Sequence, residues 1–319
     1  MNGKTYMQRQ PRIEVLLATY NSARFLRPML ESLIAQSEPD FHLVISDDCS
    51  TDDTLAIVES MKGAFANPPE IRRRAVPSGS AMANFSQMLT ESRGRYVLLA
   101  DHDDIWLPGR IADAVARLEI LEAESGAATP ILTHCDLSVI DAEGNSTGST
   151  LWRLKAADPR YGQRLNTALV NATVAGCAAA MNRALIDRAG SVPREAIMHD
   201  WWLNLVAVTF GRVDIDPDPK VLYRIHGANA SHPRRVSAVS MAARASIIGT
   251  VREKMARRIK QAWAFQLRFA GALPAREQAV LDDFVALGET GYLNRRLICA
   301  NRGFRYPDLW RTAALWALA

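Results

Sequence analysis

No apolar run in this 319-residue sequence approaches the roughly 18 uninterrupted residues that a membrane-crossing helix needs. The longest mild stretch, Val170 to Met181, is alanine-rich and broken by Asn171, Thr173 and Gly176, so it does not span a bilayer by itself. Cysteine is scarce. Cys49, Cys135, Cys177 and Cys299 stand far apart with no C-x-x-C pair, and no basic-apolar-small leader precedes Pro11. We therefore expect free, mostly buried thiols and a cytoplasmic protein rather than a secreted disulfide scaffold. No G-x-G-x-x-G follows the first strand and no G-x-x-x-x-G-K-[ST] occurs anywhere, which counts against NAD enzymes and P-loop NTPases. Internal repeats and low-complexity runs are also missing.

What remains is an ordinary globular composition, 48% hydrophobic and 23% charged, enough for a full core in one large domain with an appendage, or in two domains. The net charge of +4 hides an asymmetry. Residues 234–319 hold fifteen Lys/Arg against six Asp/Glu, whereas residues 1–233 hold twenty-three against twenty-eight. A basic tail on an acidic body suggests an anionic partner surface, with a solvated helix face as the alternative.

Short apolar runs alternate with helical spacing. Ile13 to Ala18, His42 to Ser46, Ile71 to Val76, Tyr96 to Ala100 and Ile131 to Cys135 read as strands. Ser22 to Gln36, Thr54 to Met61, Ala81 to Ser92 and Pro108 to Glu124 read as helices. Further on, Gly176 to Asn182, Val213 to Asp216 and Lys220 to Arg224 read as short strands, and Arg183 to Ala189 and Asp200 to Phe210 as helices. After Ser231 the chain is helical and basic over Ser237 to Ala270, Arg276 to Leu287 and Asp308 to Leu318. Such alternation predicts an α/β fold with a doubly wound, mostly parallel central sheet and a C-terminal helical appendage.

Carboxylates gather where those strands end. Asp101-His102-Asp103-Asp104-Ile105-Trp106 follows Tyr96 to Ala100, and Asp47-Asp48 follows His42 to Ser46. Ligands of open α/β sheets bind outside the carboxyl ends of the strands, so both acidic groups should open onto one crevice. Asp101 and Asp103 can hold Mg²⁺ or Mn²⁺ and leave room for phosphate oxygens, an arrangement that neutralises a diphosphate without a glycine-rich cradle. An aspartate of the other pair can accept the imide N–H of uracil or thymine, and Tyr20 can stack on the base. Turns and helix caps are the plain alternative for every one of these aspartates, and for Asp200 too.

Ala18-Thr19-Tyr20-Asn21, Ser46-Asp47-Asp48-Cys49-Ser50-Thr51-Asp52-Asp53-Thr54, the Asp101 to Trp106 string, His199-Asp200-Trp201-Trp202 and Tyr223-Arg224-Ile225-His226-Gly227-Ala228-Asn229 together resemble the family 2 inverting glycosyltransferases with the A-type fold, in particular the rhamnosyltransferase-like branch of bacterial cell-surface polysaccharide synthesis. The resemblance implies a catalytic domain at residues 12–232, between a tail at 1–11 and a basic helical region at 233–319. It implies that Ala18, Thr19, Tyr20, Asp48 and Asp101 hold the nucleotide sugar, that Asp103 with Asp101 and His226 holds Mn²⁺ or Mg²⁺, and that Asp200 is the catalytic base. The implied donor is a dTDP- or UDP-linked sugar, with rhamnose the first expectation, and the implied acceptor is a glycan or lipid-linked glycan. His102 stands where the family pattern has Gln, and His199 where it has an acidic residue. Those departures keep a catalytically silent scaffold of the same fold as the alternative. The Q-x-x-R-W string of processive enzymes is absent, which favours transfer of single residues.

The tail interleaves Trp263, Phe265, Phe269, Phe304, Trp310 and Trp316 with arginines. That pattern fits peripheral contact with the inner face of a membrane, with core packing as the alternative. No nucleic-acid module is recognisable, and no nucleic-acid partner is expected.

Overall fold

The computed structural model describes residues 11–227 and 241–318, with side chains described at 11–227 and 251–316. Ala228, Asn229 and nearly all of the expected 1–11 tail lie outside the described residues, as does the start of the expected helix at Ser237.

The chain begins with β1 (Ile13–Thr19), α1 (Ala23–Ile34), β2 (His42–Asp47), α2 (Thr54–Met61), β3 (Glu70–Arg73), α3 (Ala81–Glu91) and β4 (Tyr96–Asp101). A two-residue strand β5 (Ile105–Trp106) leads to α4 (Arg110–Ser125), β6 (Ile131–Ile140), β7 (Ser146–Thr150), α5 (Leu151–Lys155) and α6 (Leu165–Ala168). Then come β8 (Ala179–Asn182), α7 (Arg183–Ala189), α8 (His199–Phe210) and β9 (Arg212–Arg224). The tail forms α9 (Met241–Arg268), α10 (Ala275–Ala286), α11 (Tyr292–Arg302) and α12 (Leu309–Leu318).

One sheet runs β3-β2-β1-β4-β8-β6-β9-β5, with β7 added beside β6. The β3-β2-β1-β4 half is parallel throughout. Beyond β4 the pairing is mixed: β8 is antiparallel to both β4 and β6, whereas β6 and β9 are parallel. The continuous apolar runs of β1, β2 and β4 have a simple cause. Leu16, Val44, Val97 and Leu99 enter one core with Phe85, Met88 and Trp202, while Val15, Leu17, Leu43, Ile45 and Leu98 enter the other with Leu26, Met29, Ile111 and Leu118. Helices cover both faces, so both faces of these strands are mainly apolar.

Two expectations change in detail. Val213–Asp216 and Lys220–Arg224 are one strand, β9, whose register against β6 shifts between Cys135 and Leu137, near Pro217 and Pro219. Pro lacks the donor that an uninterrupted ladder would use, which is why the sequence read as two pieces. Of the tail aromatics, Phe265, Phe269 and Phe304 lie in the core, and Trp316 donates its Nε1–H to the Phe304 carbonyl at 2.8 Å. Only Trp263 and Trp310 of the six are exposed. Among the described residues no helix is long and apolar enough to cross a membrane. Cys135, Cys177 and Cys299 are buried free thiols and Cys49 is half-buried.

Candidate active site

The order of strands reverses at β1, which has β2 on one side and β4 on the other. At the crevice end Thr19 is in register with Asp47 and Ala18 with Asp101, so the two acidic groups flank the tip of β1. Tyr20 follows directly and is 58% exposed, with its ring free for stacking.

The β2 side is tied down by its own loops. Asp47 is buried and accepts hydrogen bonds from the Thr19 hydroxyl at 3.0 Å, the Ser50 N–H at 2.9 Å and the Ser50 hydroxyl at 2.5 Å. Asp48 takes the Ser78 N–H at 2.6 Å and the Ser78 hydroxyl at 2.7 Å, and pairs with Arg74 Nε at 3.3 Å. A carboxylate has about four acceptor positions, so Asp48 keeps one for a base N–H. Asp52, rather than Asp53, serves the start of α2: its carboxylate accepts the Thr54 and Ala23 N–H groups, both at 3.0 Å.

On the other side of β1, the short strand β5 does the placing. Ile105 pairs with Leu222 and Trp106 with Val221, which lays Arg224 and His226 beside the turn at Asp103-Asp104. Arg224 donates its backbone N–H to Asp104 Oδ1 at 3.1 Å and its Nε–H to the Asp103 carbonyl at 2.9 Å. His226 Nε2 lies 2.7 Å from Asp103 Oδ2, and its ring rests against Phe25 with centroids 4.7 Å apart. The arginine guanidinium sits over the same Phe25 ring at 5.0 Å.

Beneath this turn Asp101, Asp104 and Cys177 bring one ligand atom each within 4.8 Å of one another. Cys177 arrives from a single 3-10 turn, Gly176–Ala178, that precedes β8 and packs against β4. Burial pushes the Asp101 carboxyl up to about 7, helped by the charges of Asp103 and Asp200. Burial also drives Asp104 well above the ordinary carboxylate range, with Asp103 and Asp101 adding to it, and raises the Cys177 thiol. Crowded, desolvated carboxylates hold protons in this way when nothing positive offsets their charge. A hard divalent cation would relieve it, and the oxygens of Asp101 and Asp103 with the His226 imidazole suit Mn²⁺ or Mg²⁺. A thiol does not suit Mg²⁺, so Cys177 fits better as a hydrogen-bonding neighbour of Asp104.

Asp200 approaches from the far wall. It occupies the first turn of α8, whose N-cap is Met198, so it is not the cap itself. Its Oδ1 accepts the Trp201 N–H at 2.6 Å, its charge reaches Asp101, and a side chain on Gly176 would lie 3.8 Å from its Oδ2. Lys155, at the end of α5, stands close enough to feel the same charge. Its neighbour His199 is buried and stacked on Phe85 with centroids 4.4 Å apart.

Thus Ala18, Thr19, Tyr20, Asp48, Asp101, Asp103, Asp200 and His226 all reach the crevice end of the sheet. Cys177, Arg224, Phe25 and Ser78 are parts of the arrangement that sequence spacing did not single out. Only for Arg224 was there a signal, its place two residues before His226.

The Glycosyl transferase family 2 model matches residues 14–190. The dTDP-rhamnosyl transferase RfbG of Shigella flexneri is 27% identical over 254 residues, spanning 76% of this chain and 81% of that protein. Among solved structures, S. aureus TarS 1-349 in complex with UDP-GlcNAc superposes with a TM-score of 0.57 at 18% identity, covering 86% of this chain and 70% of that one. The mannosyltransferase PcManGT from Pyrobaculum calidifontis, in complex with GDP-Man and Mn²⁺, gives a TM-score of 0.54 at 18% identity over 93% of this chain and 74% of that one. The sheet of β1 to β4 with its acidic strand ends and the match over more than half of the chain lead to the same result: this protein belongs to glycosyl transferase family 2.

Proposed function

We propose that the protein moves a sugar from a nucleotide-diphosphate donor to a hydroxyl of a glycan or lipid-linked glycan, inverting the anomeric carbon. The observation that carries this reading is the convergence of distant segments: His226 on Asp103 at 2.7 Å, with Asp101 feeling the charges of both Asp103 and Asp200. The Asp-rich turn would hold Mn²⁺ or Mg²⁺ through Asp103, Asp101 and His226, and the bound cation would stabilise charge on the departing diphosphate. Tyr20 stacks on the base, the backbone of Ala18 and Thr19 lines its pocket, and Asp48 accepts its imide N–H. Asp101 sits nearest the ribose.

Asp200 then removes the acceptor proton. With Oδ1 engaged by the Trp201 N–H, Oδ2 is the oxygen that takes it. The acceptor oxygen bonds to the anomeric carbon as the bond to the diphosphate oxygen breaks on the opposite face. Thymidine-diphosphate rhamnose is the first donor to test, since RfbG is a dTDP-rhamnosyl transferase. A panel of nucleotide sugars, scored for Mn²⁺-dependent release of nucleoside diphosphate, identifies the donor. Asp200→Asn should then abolish transfer while calorimetry still detects donor binding. Unchanged turnover in that variant refutes the base, and failure of every uridine or thymidine diphosphate to bind refutes the donor site.

A further inference from the structure

Helix α11 carries its side chains the wrong way round for a solvated helix. Its inner stripe, Arg295, Ile298, Cys299 and Arg302, is buried or half-buried, whereas the opposite stripe presents Tyr292, Leu293, Arg296 and Leu297 to solvent. Leu293 is 73% exposed and Leu297 60%, one turn apart on the same face. The turn that follows leads to Leu309 and Trp310 at the start of α12, exposed at 85% and 87%. Scattered exposed leucines mean little, but α11 exposes two on one helical stripe with a tyrosine at its end, and the start of α12 exposes a Leu-Trp pair, and such clustered apolar side chains mark a surface that needs a partner.

Charge identifies the partner. Residues 292–311 contain five arginines and a single acidic residue, Asp308; Arg302 pairs with Asp283 of α10 at 2.5 Å and Arg311 with Asp308, which leaves the positive charge of Arg295, Arg296 and Arg305. Arg296 lies within the apolar stripe, where its Nη1–H donates to the Tyr292 hydroxyl at 3.0 Å, and Arg305 is exposed between the two helices. Leucines and a tryptophan beside arginines match the boundary between acyl chains and anionic headgroups. A nucleic acid would use the arginines and leave the leucines wet; a second copy of this chain would set arginine against arginine.

We propose that the outer face of α11, with Leu309 and Trp310, is the surface by which this protein lies on an anionic phospholipid bilayer. This deepens the reading of a lipid-linked acceptor by naming the surface that would bring the enzyme to it. Of the interleaved aromatics Trp310 belongs to this surface, whereas Phe265, Phe269 and Phe304 are internal.

The test is sedimentation of the full chain with vesicles of phosphatidylcholine alone or mixed equally with phosphatidylglycerol. The wild-type chain should sediment with the mixed vesicles and much less with phosphatidylcholine. Leu293→Ser/Leu297→Ser should weaken that binding about tenfold or more. Arg296→Glu/Arg305→Glu should remove most of the preference for phosphatidylglycerol, about fivefold for each charge lost. Ile120→Ser, which removes an exposed apolar side chain of α4, should change nothing. Donor hydrolysis without vesicles should be the same in all these variants, so loss of lipid binding is distinguishable from failure of the transferase reading. Equal sedimentation of the Leu293→Ser/Leu297→Ser chain and the wild type overturns the proposal. So does a wild-type dimer in light scattering that this double substitution dissociates, because the face is then covered by a second copy.

Discussion

At the tips of β1 and β2, Asp47, Asp48, Asp52 and Asn21 are each held by hydrogen bonds from the surrounding loops; around α8, the ring nitrogens of His199, the amide of Asn204 and the hydroxyl of Thr173 are buried without a protein partner. The difference separates a side organised before any ligand arrives from a side whose polar groups are left for solvent or substrate. The proposed function assigns the first side to the donor, and its rigidity fits a part that recognises the same nucleotide in every turnover, since pre-placed acceptors need no rearrangement on binding. The less saturated side, which the proposed function assigns to the acceptor, costs stability, because buried polar atoms are normally paired.

The comparison breaks most visibly through Asp200. If α8 serves chemistry rather than folding, Asp200→Asn should lower turnover by about 10² to 10⁴ fold, the usual worth of a general base, with the melting temperature barely moved. A large loss of stability with little loss of rate would reverse the assignment of the two sides.

Asp47→Ala is the mirror experiment. It strips three hydrogen bonds from a buried carboxylate and leaves the Ser50 N–H and the Thr19 hydroxyl to find new partners. We expect about 2 to 4 kcal/mol of lost stability in denaturant unfolding, with transfer retained well below the melting temperature. If Asp47→Ala instead inactivates a stable protein, the β2 loop is part of the chemistry and the distinction fails.

Asp101 lies where the two sides meet, and its carboxyl is raised to about 7 from an ordinary value of 3.8. The folded state therefore binds a proton that the unfolded chain has already released. This contribution to stability is complete below about pH 4 and is lost as the pH rises through about 7. Asp101→Asn does not titrate, so in metal-free protein its melting temperature should climb relative to wild type across that window. Added Mn²⁺ at pH 7 should stabilise the wild type more than the variant. A difference that is constant with pH, and equal responses to Mn²⁺, would show that Asp101 is not part of a charge-crowded cation site.

The β1–β2 side was far more legible in the sequence than the side around α8, and for a physical reason. Strands buried on both faces print as unbroken apolar runs, and their ends are where Asp47, Asp48 and Asp101 stand, so local pattern alone located them. Asp200 and His226 needed the resemblance, because nothing near them in sequence announces a site. Cys177 was invisible, since only the pairing of β8 with β4 brings it under Asp104. Strand β7, Ser-Thr-Gly-Ser-Thr, faces solvent and has no apolar alternation to detect, and β5 is two residues long. In the tail, composition revealed the basic charge and the aromatics but not which of them turn inward, because the buried Phe265 shares the helix α9 with the exposed Trp263, and the buried Phe269 follows directly after that helix.

His199 offers the finest test of whether the unpaired polar atoms around α8 serve a purpose. Burial depresses its imidazole below the usual histidine value, so the fold favours the neutral ring. The unfolded chain binds its proton first, and the folded state therefore loses stability as the pH falls below about 6.5. His199→Leu removes two unpaired nitrogens along with the stacking on Phe85 and replaces them with apolar volume. At pH 8 these terms should nearly cancel, within about 1 kcal/mol, whereas at pH 5 the variant should be the more stable protein. Transfer should stay within a few fold of wild type, since His199 is buried against Phe85 with neither ring nitrogen hydrogen-bonded to the protein. If His199→Leu instead lowers turnover as far as Asp200→Asn does, the imidazole works on the acceptor, and the unsaturated polar groups of this half are its binding surface rather than a tolerated cost.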